Sequence, residues 1–397
     1  MRGEQALREA VVSWLAEDRL ATAGAPSVLG CDTSLDLAMS HTIFHWIPSS
    51  QLGGIEMAAL TLIQESPQQV HVVAAGDVSG PAADMWREAG AEVVQIQDWG
   101  GVLGITWARH WKAFARERDV RHLIAWSPTR LPQLLSPLSS TANCVVHLGN
   151  VGSFGRRARL QTKVMGLIYR PACRPRLLAC SQAVANSVAT EPLFRGLPLS
   201  VTLNSVRPAF FELGVKRLPS NIAPKTWGML ARLDRLKDHR SLIEAIRLLP
   251  VDLEFRLELA GEGALADELR RQVAAAGLEH RVRFLGALPR PQEAMRNWEA
   301  FIFATSAGEG FGIAVAEAMA AGLPCVLSDV AAMREVAGDS AYYAEQGSPA
   351  ALCAQILEVI NQPIEAHERA GKGRQRAQEL YSAEVFARRY LSALGIV

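Results

Sequence analysis

The feature of this sequence that most constrains its fold is a regular alternation between short apolar runs and longer amphipathic stretches. Runs such as 41–47, 70–75, 122–127 and 199–206 have the length and apolarity of strands, and stretches such as 81–90 have the pattern of a helix. Strands separated by helices at this spacing predict βαβ units and a parallel sheet. The chain is therefore expected to be an α/β protein.

This alternation occurs twice along the 397 residues. It stops at 217–225, a segment with two prolines and no periodicity, and restarts with an apolar run at 226–233. Two consecutive doubly wound, Rossmann-like domains are predicted, with ligands bound outside the carboxyl ends of the strands. The expected parts are an amino-terminal extension, an N-terminal domain, a C-terminal domain and a last helix, at residues 1–40, 41–216, 217–381 and 382–397.

Composition excludes several classes of protein. A net charge of +1 does not indicate a globally basic nucleic-acid binder, and no nucleic acid is expected as a partner. No apolar run is long enough for a transmembrane helix, and acidic residues near the amino terminus predict an amphipathic helix rather than a signal peptide. The six cysteines form no C-x-x-C pair, so buried thiols in a reducing compartment are expected.

Two cations follow a predicted strand in the segment 228–239. Arg232 and Lys237 come after the strand end and before the next helix. Such a pair suits a diphosphate, because arginine offers a planar fork of donors and lysine a point charge. An ordinary charged loop would give the same pattern.

A second segment, 259–269, runs from a strand through Gly261 and Gly263 into a helix. Backbone N–H groups at a helix start favour a phosphate or a ribose edge. The dinucleotide fingerprint G-x-G-x-x-G is incomplete, because Ala266 stands at its sixth position. A tight turn between strand and helix is the alternative.

A third segment, 306–324, contains two glutamates and a glycine-rich loop ahead of an apolar helix. A helix start near Gly312 would place Glu309 in the loop and Glu317 inside the helix. Carboxylates accept hydrogen bonds from paired sugar hydroxyls. Glu309 could instead be solvated or interact with the helix dipole, and Glu317 either faces a polar cleft or is paired.

Together the three segments resemble the C-terminal half of the family 4 glycosyltransferases, which are retaining enzymes of the GT-B type. Residues 309–317 match the family's glutamate–seven residues–glutamate signature, and the resemblance is strong over 222–345 but weak in the N-terminal half. It implies two Rossmann-like domains facing across a cleft, with the last helix crossing back to the N-terminal domain. It also implies transfer of a sugar, with retention, from a nucleoside-diphosphate sugar to a hydroxyl of a glycan or lipid-linked acceptor.

The resemblance assigns roles in the C-terminal half. Arg232 and Lys237 would hold the donor diphosphate and stabilise the leaving group, Glu309 would contact the donor sugar, and Glu317 would bind the ribose hydroxyls. No Asp-x-Asp motif follows a strand, so fixed cations are expected to replace a metal ion, with no metal site and no cofactor. The remaining donor-binding residues are Gly261, Gly263, Phe311, Gly312 and Ile313, the last three through backbone N–H groups.

In the N-terminal half, the resemblance places Gly53 and Gly54 in a glycine loop near the diphosphate. His147, at the end of the apolar run 145–148, would orient the donor sugar, although a buried core histidine would look the same.

The segment 201–211 resembles the family's Asn-Gly-Val-Asp hinge. Ser205 and Arg207 replace the usual glycine and aspartate, which leaves the role of Asn204 open.

Charge is distributed unevenly, since no acidic residue occurs between Val120 and Thr190. In the segment 154–176, cations and apolar residues interleave at helical spacing. Such a segment can lie on an anionic membrane surface or hold an anionic acceptor, and a solvated basic helix face is the alternative. The residues of this patch are Arg156, Arg157, Arg159 and Lys163.

Other functions share this overall pattern. The first is a non-catalytic nucleotide-sugar-binding subunit of a glycan assembly complex, and the second is a GT-B epimerase or phosphorylase. A dinucleotide oxidoreductase is disfavoured by the incomplete glycine fingerprint, and no segment indicates the pyridoxal-phosphate lysine of a phosphorylase. We favour a cytoplasmic glycosyltransferase of envelope or extracellular polysaccharide synthesis, peripheral on the inner face of the membrane.

Overall fold

The computed structural model describes residues 41–51, 53–96, 105–149, 171–215 and 221–397. Structural statements below concern these residues. The predicted amino-terminal extension and the basic patch of Arg156, Arg157, Arg159 and Lys163 lie outside them.

The N-terminal domain is built on one parallel sheet. Its strands are Thr42–Ile47 (β1), Val70–Ala75 (β2), Glu92–Gln95 (β3), His122–Ala125 (β4), Asn143–Leu148 (β5), Arg176–Ala179 (β6) and Leu199–Val201 (β7). Its helices are Gly54–Glu65 (α1), Pro81–Glu88 (α2), Ile105–Glu117 (α3), Leu131–Leu135 (α4) and Gln182–Ala189 (α5). The seven strands are ordered β3-β2-β1-β4-β5-β6-β7. Central strands such as β1 and β5 are buried almost throughout, as expected when helices cover both faces of a parallel sheet.

The C-terminal domain repeats this plan after the helix Pro208–Val215 (α6). Its strands are Thr226–Leu230 (β8), Arg256–Ala260 (β9), Val282–Gly286 (β10), Ala300–Phe303 (β11), Cys325–Ser328 (β12) and Tyr342–Ala344 (β13). The helices that follow α6 are His239–Leu248 (α7), Ala266–Ala275 (α8), Pro291–Met295 (α9), Ile313–Ala320 (α10), Ala331–Ala337 (α11), Pro349–Asn361 (α12), Pro363–Tyr381 (α13) and Ala383–Ala393 (α14). The six strands are ordered β10-β9-β8-β11-β12-β13, and the prediction of two Rossmann-like parallel sheets is confirmed.

Helix α14 returns to the N-terminal domain. Its N-cap is Ser382, whose hydroxyl accepts a hydrogen bond from the N–H of Val385. Its apolar face, including Phe386 and Tyr390, is buried in one cluster with Ile43 of β1 and other residues of the first sheet. This helix therefore completes the core on one face of the N-terminal sheet.

The expected strand 199–206 is shorter than predicted. Strand β7 ends at Val201. The N–H of Val206 donates to the carbonyl of Tyr381, 2.8 Å away, rather than to a neighbouring strand. The chain leaves the sheet because this bond ties it to the end of α13.

The order of strands reverses at two places, between β1 and β4 and between β8 and β11. At such a switch point the loops leave toward opposite faces of the sheet and open a crevice at the carboxyl ends of the strands. The loops that follow β1, β8 and β11 carry most of the residues predicted to bind a ligand. The fold therefore collects these residues from distant parts of the sequence.

The cysteines in the described part of the chain are buried free thiols, as the sequence predicts. Cys144 and Cys173 are neighbours, with their sulfur atoms 3.0 Å apart. In the same part of the chain, no helix has both the length and the apolarity to cross a membrane.

Candidate active site

Two loops of the C-terminal domain are joined by backbone hydrogen bonds. The loop after β8 lies beside the first residues after β11: the N–H of Asp238 donates to the carbonyl of Ala304 at 3.0 Å. The N–H of Ser306 donates to the carbonyl of Leu236, also at 3.0 Å. This pairing holds Lys237, in the first loop, next to the loop that contains Glu309.

Lys237 and Glu309 form a buried ion pair. The ammonium group binds Oε2 of Glu309 and lies 4.7 Å from the centre of the Phe303 ring. The two side chains are only 11% and 9% exposed. Thr305 donates to the same Oε2 at 3.3 Å, and Oε1 accepts the N–H of Gly310 at 3.2 Å. Because a buried ion pair is stable only when its remaining polar atoms are bonded, these contacts fix Glu309 in one position.

Arg232 lies apart from this ion pair. Its side chain is 79% exposed and approaches Asp234 at 3.2 Å, an exposed pairing that contributes little energy. Within the described residues, no contact joins Arg232 to Lys237 or Glu309. The predicted pair of diphosphate cations is thus one fixed lysine and one exposed arginine.

Gly261 and Gly263 allow the loop after β9 to touch the loop that carries Arg232. A Cβ on Gly261 would lie 1.9 Å from the carbonyl oxygen of Ala231, and one on Gly263 would lie 2.3 Å from that of Leu233. Neither approach is possible for a side chain. The structure therefore gives these glycines a packing role, and their contact with a donor stays a prediction.

Helix α10 begins at Ile313 with Gly312 as its N-cap, which confirms the predicted start near Gly312. Gly312 has a φ of +86°, and a Cβ there would lie 2.5 Å from Cε of Met333. The Phe311 ring is buried and packs edge-to-face on Tyr381, 5.5 Å away, so only the backbone of Phe311 can serve a ligand. The N–H groups of Ile313 and Ala314 precede the first hydrogen bond of α10, which Val315 donates to the carbonyl of Gly312 at 2.9 Å, and they form the positive end of the helix dipole.

Glu317 is buried inside α10 and is paired. Its Oε1 accepts a hydrogen bond from Nη2 of Arg207 at 3.1 Å, and the Arg207 guanidinium also lies 4.8 Å from the centre of the Phe210 ring. Burial raises the pKa of Glu317 to about 7, although Arg207 acts in the opposite direction. Arg207 is one of the two residues that depart from the family's hinge pattern, and its partner was not predicted.

Gly53 and Gly54 begin helix α1 on the other side of the cleft. A Cβ on Gly53 would lie 2.5 Å from Oε2 of Glu56, whose carboxyl folds back over the helix start. Burial raises the pKa of Glu56. A Cβ on Gly54 would lie 3.2 Å from Cδ1 of Ile313, so the two predicted donor-binding loops are in contact.

His147 is buried near the end of β5. Its Nδ1 lies 2.6 Å from the hydroxyl oxygen of Tyr390 on α14, and its ring packs on Trp126. Burial lowers the pKa of His147 to about 4, so the ring is neutral at pH 7. Its Nε2 faces Gly149, where a Cβ would lie 3.2 Å away. These contacts fit the alternative of a satisfied core histidine, and the role in orienting a sugar stays a prediction.

Two contacts across the cleft were not predicted. The hydroxyl of Ser181 donates to the carbonyl of Gly310 at 2.5 Å. The Glu335 carboxylate accepts the N–H of Gln182 at 2.7 and 2.8 Å and that of Ala183 at 3.4 Å. Ser181 could have been recognised as a helix N-cap, but nothing in the sequence indicates the partner of Glu335.

Among the described residues, no group of histidine, cysteine and carboxylate side chains is placed to hold a metal ion. The polar groups that converge here are cations, carboxylates, glycine backbones and a helix start. Such groups can bind a diphosphate and several hydroxyls.

Comparisons with known proteins agree with this architecture. Residues 215–376 match the family described as Glycosyl transferases group 1. The chain is 32% identical over 135 residues to the O-antigen chain mannosyltransferase B of Escherichia coli, which is 33% of this chain and 35% of that protein. It is 37% identical over 114 residues to the N-acetylgalactosamine-N,N'-diacetylbacillosaminyl-diphospho-undecaprenol 4-alpha-N-acetylgalactosaminyltransferase of Campylobacter jejuni, 28% of this chain and 30% of that one. The chain thus spans about a third of the length of these relatives.

The likeness to solved structures extends over both domains. The crystal structure of HepE from Anabaena in complex with UDP and glucose has a TM-score of 0.72 and 19% sequence identity, and it covers 89% of this chain and 99% of HepE. At this identity the match shows the fold. The chain therefore has the two-domain GT-B fold, and its residues 215–376 match the group 1 glycosyl transferases.

Proposed function

We propose that this protein is a retaining glycosyltransferase that moves a sugar from a nucleoside-diphosphate sugar to a hydroxyl of a glycan or lipid-linked acceptor. The observation that carries the proposal is the buried Lys237–Glu309 pair at the switch point of the C-terminal sheet. Glu309 lies in the loop that leads to the start of α10, where Ile313 approaches Gly54 across the cleft. A donor bound there would lie between the two domains.

In this reaction the bond between sugar and phosphate breaks first, and negative charge develops on the departing diphosphate. Groups that already point at this charge stabilise it without reorganisation. Lys237 supplies a fixed ammonium group, and the N–H groups of Gly312 and Ile313 supply oriented dipoles. Arg232 is exposed and can turn toward the diphosphate, since its present partner Asp234 holds it weakly. We propose that these groups act without a metal ion or cofactor.

Glu309 and Glu317 would hold the two ends of the donor. The Glu309 carboxylate has bonds from Lys237, Thr305 and Gly310, but a carboxylate can accept about four, so a sugar hydroxyl can still bind. Glu317 would receive the ribose hydroxyls while Arg207 keeps it charged. His147, neutral and hydrogen-bonded to Tyr390, would present Nε2 to the sugar.

The names of the relatives and the ligands of the similar solved structures suggest which substrates to test first. HepE was crystallised with UDP and glucose, so UDP-glucose is the first donor to test. The relative from Campylobacter jejuni is named for a diphospho-undecaprenol-linked acceptor, and that from Escherichia coli for the O-antigen chain. We therefore propose a role in envelope or extracellular polysaccharide synthesis. The free thiols fit the reducing cytoplasm, where we place the reaction.

As part of the same proposal, the basic segment 154–176 would bind the enzyme to the anionic inner face of the membrane. Replacing Arg156, Arg157 and Arg159 by glutamate should then abolish binding to anionic liposomes. Unchanged partitioning would rule out this role.

The function can be tested by thermal shift with UDP, GDP and ADP sugars, followed by assays of turnover. We expect one donor class to raise the melting temperature, Glu317→Ala to weaken nucleotide binding, and Glu309→Gln mainly to lower turnover. Glu345→Gln, an exposed glutamate of the same domain, is the matched control. A shift without turnover would favour the non-catalytic nucleotide-sugar-binding subunit, and the absence of any shift would contradict the proposal. Equal effects of both variants on binding and turnover would contradict the division of roles.

A further inference from the structure

A cavity of about 460 Å³ lies at the edge of the N-terminal sheet, between strands β6 and β7 and helix α14. It is separate from the candidate active site, because α14 runs from the cleft toward the opposite end of the sheet. Gly395, just after α14, lies beside Asn143, the first residue of β5. The polar side chains that line the cavity are Arg176, Ser200, Thr202, Arg388, Arg389 and Ser392.

These side chains are brought together by regular secondary structure. Arg176 is the first residue of β6, and Ser200 is the middle residue of the edge strand β7. On α14, Ser392 lies four positions after Arg388 and three after Arg389, so it shares a face of the helix with each of them. Three guanidinium groups and three hydroxyls therefore surround one space, and none of the lining residues carries a carboxylate.

The positive charge of this cavity is poorly compensated. Arg388 approaches Glu384 only at 4.0 Å, with the two side chains 64% and 82% exposed. Arg389 donates to the carbonyl of Leu380 at 3.1 Å. Burial lowers the pKa of Arg389, and Arg388 adds to this effect while Tyr381 opposes it. In the described part of the chain, no carboxylate forms an ion pair with Arg176 or Arg389.

We infer that this cavity binds a phosphate or diphosphate group. Three like charges in one cavity repel one another, and a bound anion removes that cost. Guanidinium groups match the oxygen atoms of a phosphate through paired hydrogen bonds, and the hydroxyls add further donors. A tetrahedral oxyanion has enough acceptors for such a set, whereas a neutral ligand would leave the cations unpaired. This site does not depend on the proposed glycosyl transfer, because none of its residues belongs to the candidate active site.

Isothermal titration with inorganic pyrophosphate tests the inference. The full chain carries Arg232→Gln in every sample, which weakens pyrophosphate binding at the candidate active site, where Lys237 and the start of α10 remain. We expect the double substitution Arg176→Gln and Arg388→Gln to weaken binding at least tenfold. Arg271→Gln, which removes an exposed arginine from the C-terminal domain, is the matched control and should have no effect.

A second variant distinguishes a loss of pyrophosphate binding from a change in folding. Ser392 is exposed, so Ser392→Glu should fold normally while placing a carboxylate among the three arginines. We expect it to weaken pyrophosphate binding at least tenfold, as the double variant does, with an unchanged melting temperature. If the double variant and Ser392→Glu both bind pyrophosphate as tightly as the Arg271→Gln control, the inference is wrong.

Vesicles distinguish a lipid headgroup from a soluble phosphate compound as the source of the anion. The chain is sedimented with phosphatidylcholine vesicles that contain or lack phosphatidylglycerol. If the ligand is a headgroup, Ser392→Glu will bind pyrophosphate more weakly and will also sediment less with the anionic vesicles than the Arg271→Gln control. If the ligand is soluble, the variant will bind pyrophosphate more weakly and sediment like that control.

Discussion

The guanidinium group of Arg207 donates a hydrogen bond to the carboxyl of Glu317 across 3.1 Å, although the two residues are 110 positions apart in the chain. Glu317 is 8% exposed and Arg207 29%, so the pair lies at the margin of the core. Burial raises the pKa of Glu317 to about 7 while Arg207 lowers it. The charge of a residue proposed to bind ribose therefore depends on a side chain outside its own helix.

This pair predicts a dependence of stability on pH. A carboxyl whose pKa rises from 4.5 unfolded to about 7 folded binds a proton more tightly in the folded chain. Its contribution to stability is complete below about pH 4.5 and is lost as the pH rises through 7. We expect the wild type to lose roughly 2–3 kcal/mol relative to Glu317→Gln between pH 5 and 8. Urea unfolding at both pH values measures this difference, and parallel curves for the two proteins would contradict it.

Removing the positive charge of Arg207 should widen the pH range over which ionisation of Glu317 lowers the stability of the folded chain. In Arg207→Met, Glu317 keeps its burial but loses the group that lowers its pKa. We expect the loss of stability to move to higher pH and nucleotide affinity at pH 7.5 to fall, whereas Arg207→Lys should retain part of both. Nucleotide titrations at pH 6.5, 7.5 and 8.5 measure the affinity, and urea unfolding at the same pH values measures the stability. An affinity of Arg207→Met equal to that of the wild type would show that the pair does not serve the ligand.

The close packing of Gly263, in the loop after β9, predicts that a side chain there lowers both stability and donor binding. A Cβ on Gly263 would lie 2.3 Å from the carbonyl oxygen of Leu233, so Gly263→Ala must displace the loop that carries Arg232. We expect a loss of about 1–3 kcal/mol in stability together with weaker donor binding. Gly371→Ala is the control, because a Cβ there meets nothing within 4 Å and the residue lies in helix α13, where alanine is favoured. Normal binding by Gly263→Ala would show that this loop tolerates the displacement.

The fold could be predicted because the two sheets follow from local patterns. Apolar runs of strand length alternate with helical stretches in both halves, and Gly312 and Ser382 stand at the starts of α10 and α14 as expected. The end of β7 was missed, since Val206 is held by Tyr381, a residue from another part of the chain. Local patterns thus identify elements but not the tertiary bonds that end them.

The candidate site was predicted only as a set of separate residues. Lys237 and Glu309 were both expected to face a donor, but their mutual ion pair joins residues 72 positions apart. Gly261 and Gly263 were predicted to bind the donor, whereas the structure shows that they pack on a neighbouring backbone. Which polar groups neutralise one another depends on loop packing, which a single sequence does not reveal.

The hydrogen bonds across the cleft predict that removing one of them lets the two domains move apart. Glu335 of the C-terminal domain accepts N–H groups of Gln182 and Ala183 at the start of α5, in the N-terminal domain. Hydrogen bonds to a charged carboxylate are about twice as strong as neutral ones, so Glu335→Gln should weaken this contact by roughly 1–2 kcal/mol. We expect a larger radius of gyration by small-angle X-ray scattering, and Glu345→Gln should scatter like the wild type. If Glu335→Gln also scatters like the wild type, this contact does not hold the domains together.

A chain of buried hydrogen bonds in the N-terminal domain gives the last prediction. The indole N–H of Trp126 donates to Nδ1 of His45 at 3.0 Å, and Nε2 of His45 lies 2.9 Å from Nδ1 of His71. Because an indole only donates, Nδ1 of His45 carries no proton, and Nε2 must donate to His71. Nε2 of His71 then donates to the carbonyl of Ser66 at 3.1 Å. Each ring is therefore a neutral imidazole with its proton on Nε2.

Protonation of either ring would break this chain. Burial lowers the pKa of His45 and of His71 below 6.5, so both contribute stability that is present above pH 6.5 and is lost as the pH falls. Each unit by which a pKa is lowered corresponds to about 1.4 kcal/mol. We expect the free energy of unfolding of Glu317→Gln, which lacks the opposing carboxyl, to fall between pH 7 and 5. Nitrogen NMR of the two rings at pH 7 should show protons on Nε2 alone, and a doubly protonated ring would contradict the assigned chain.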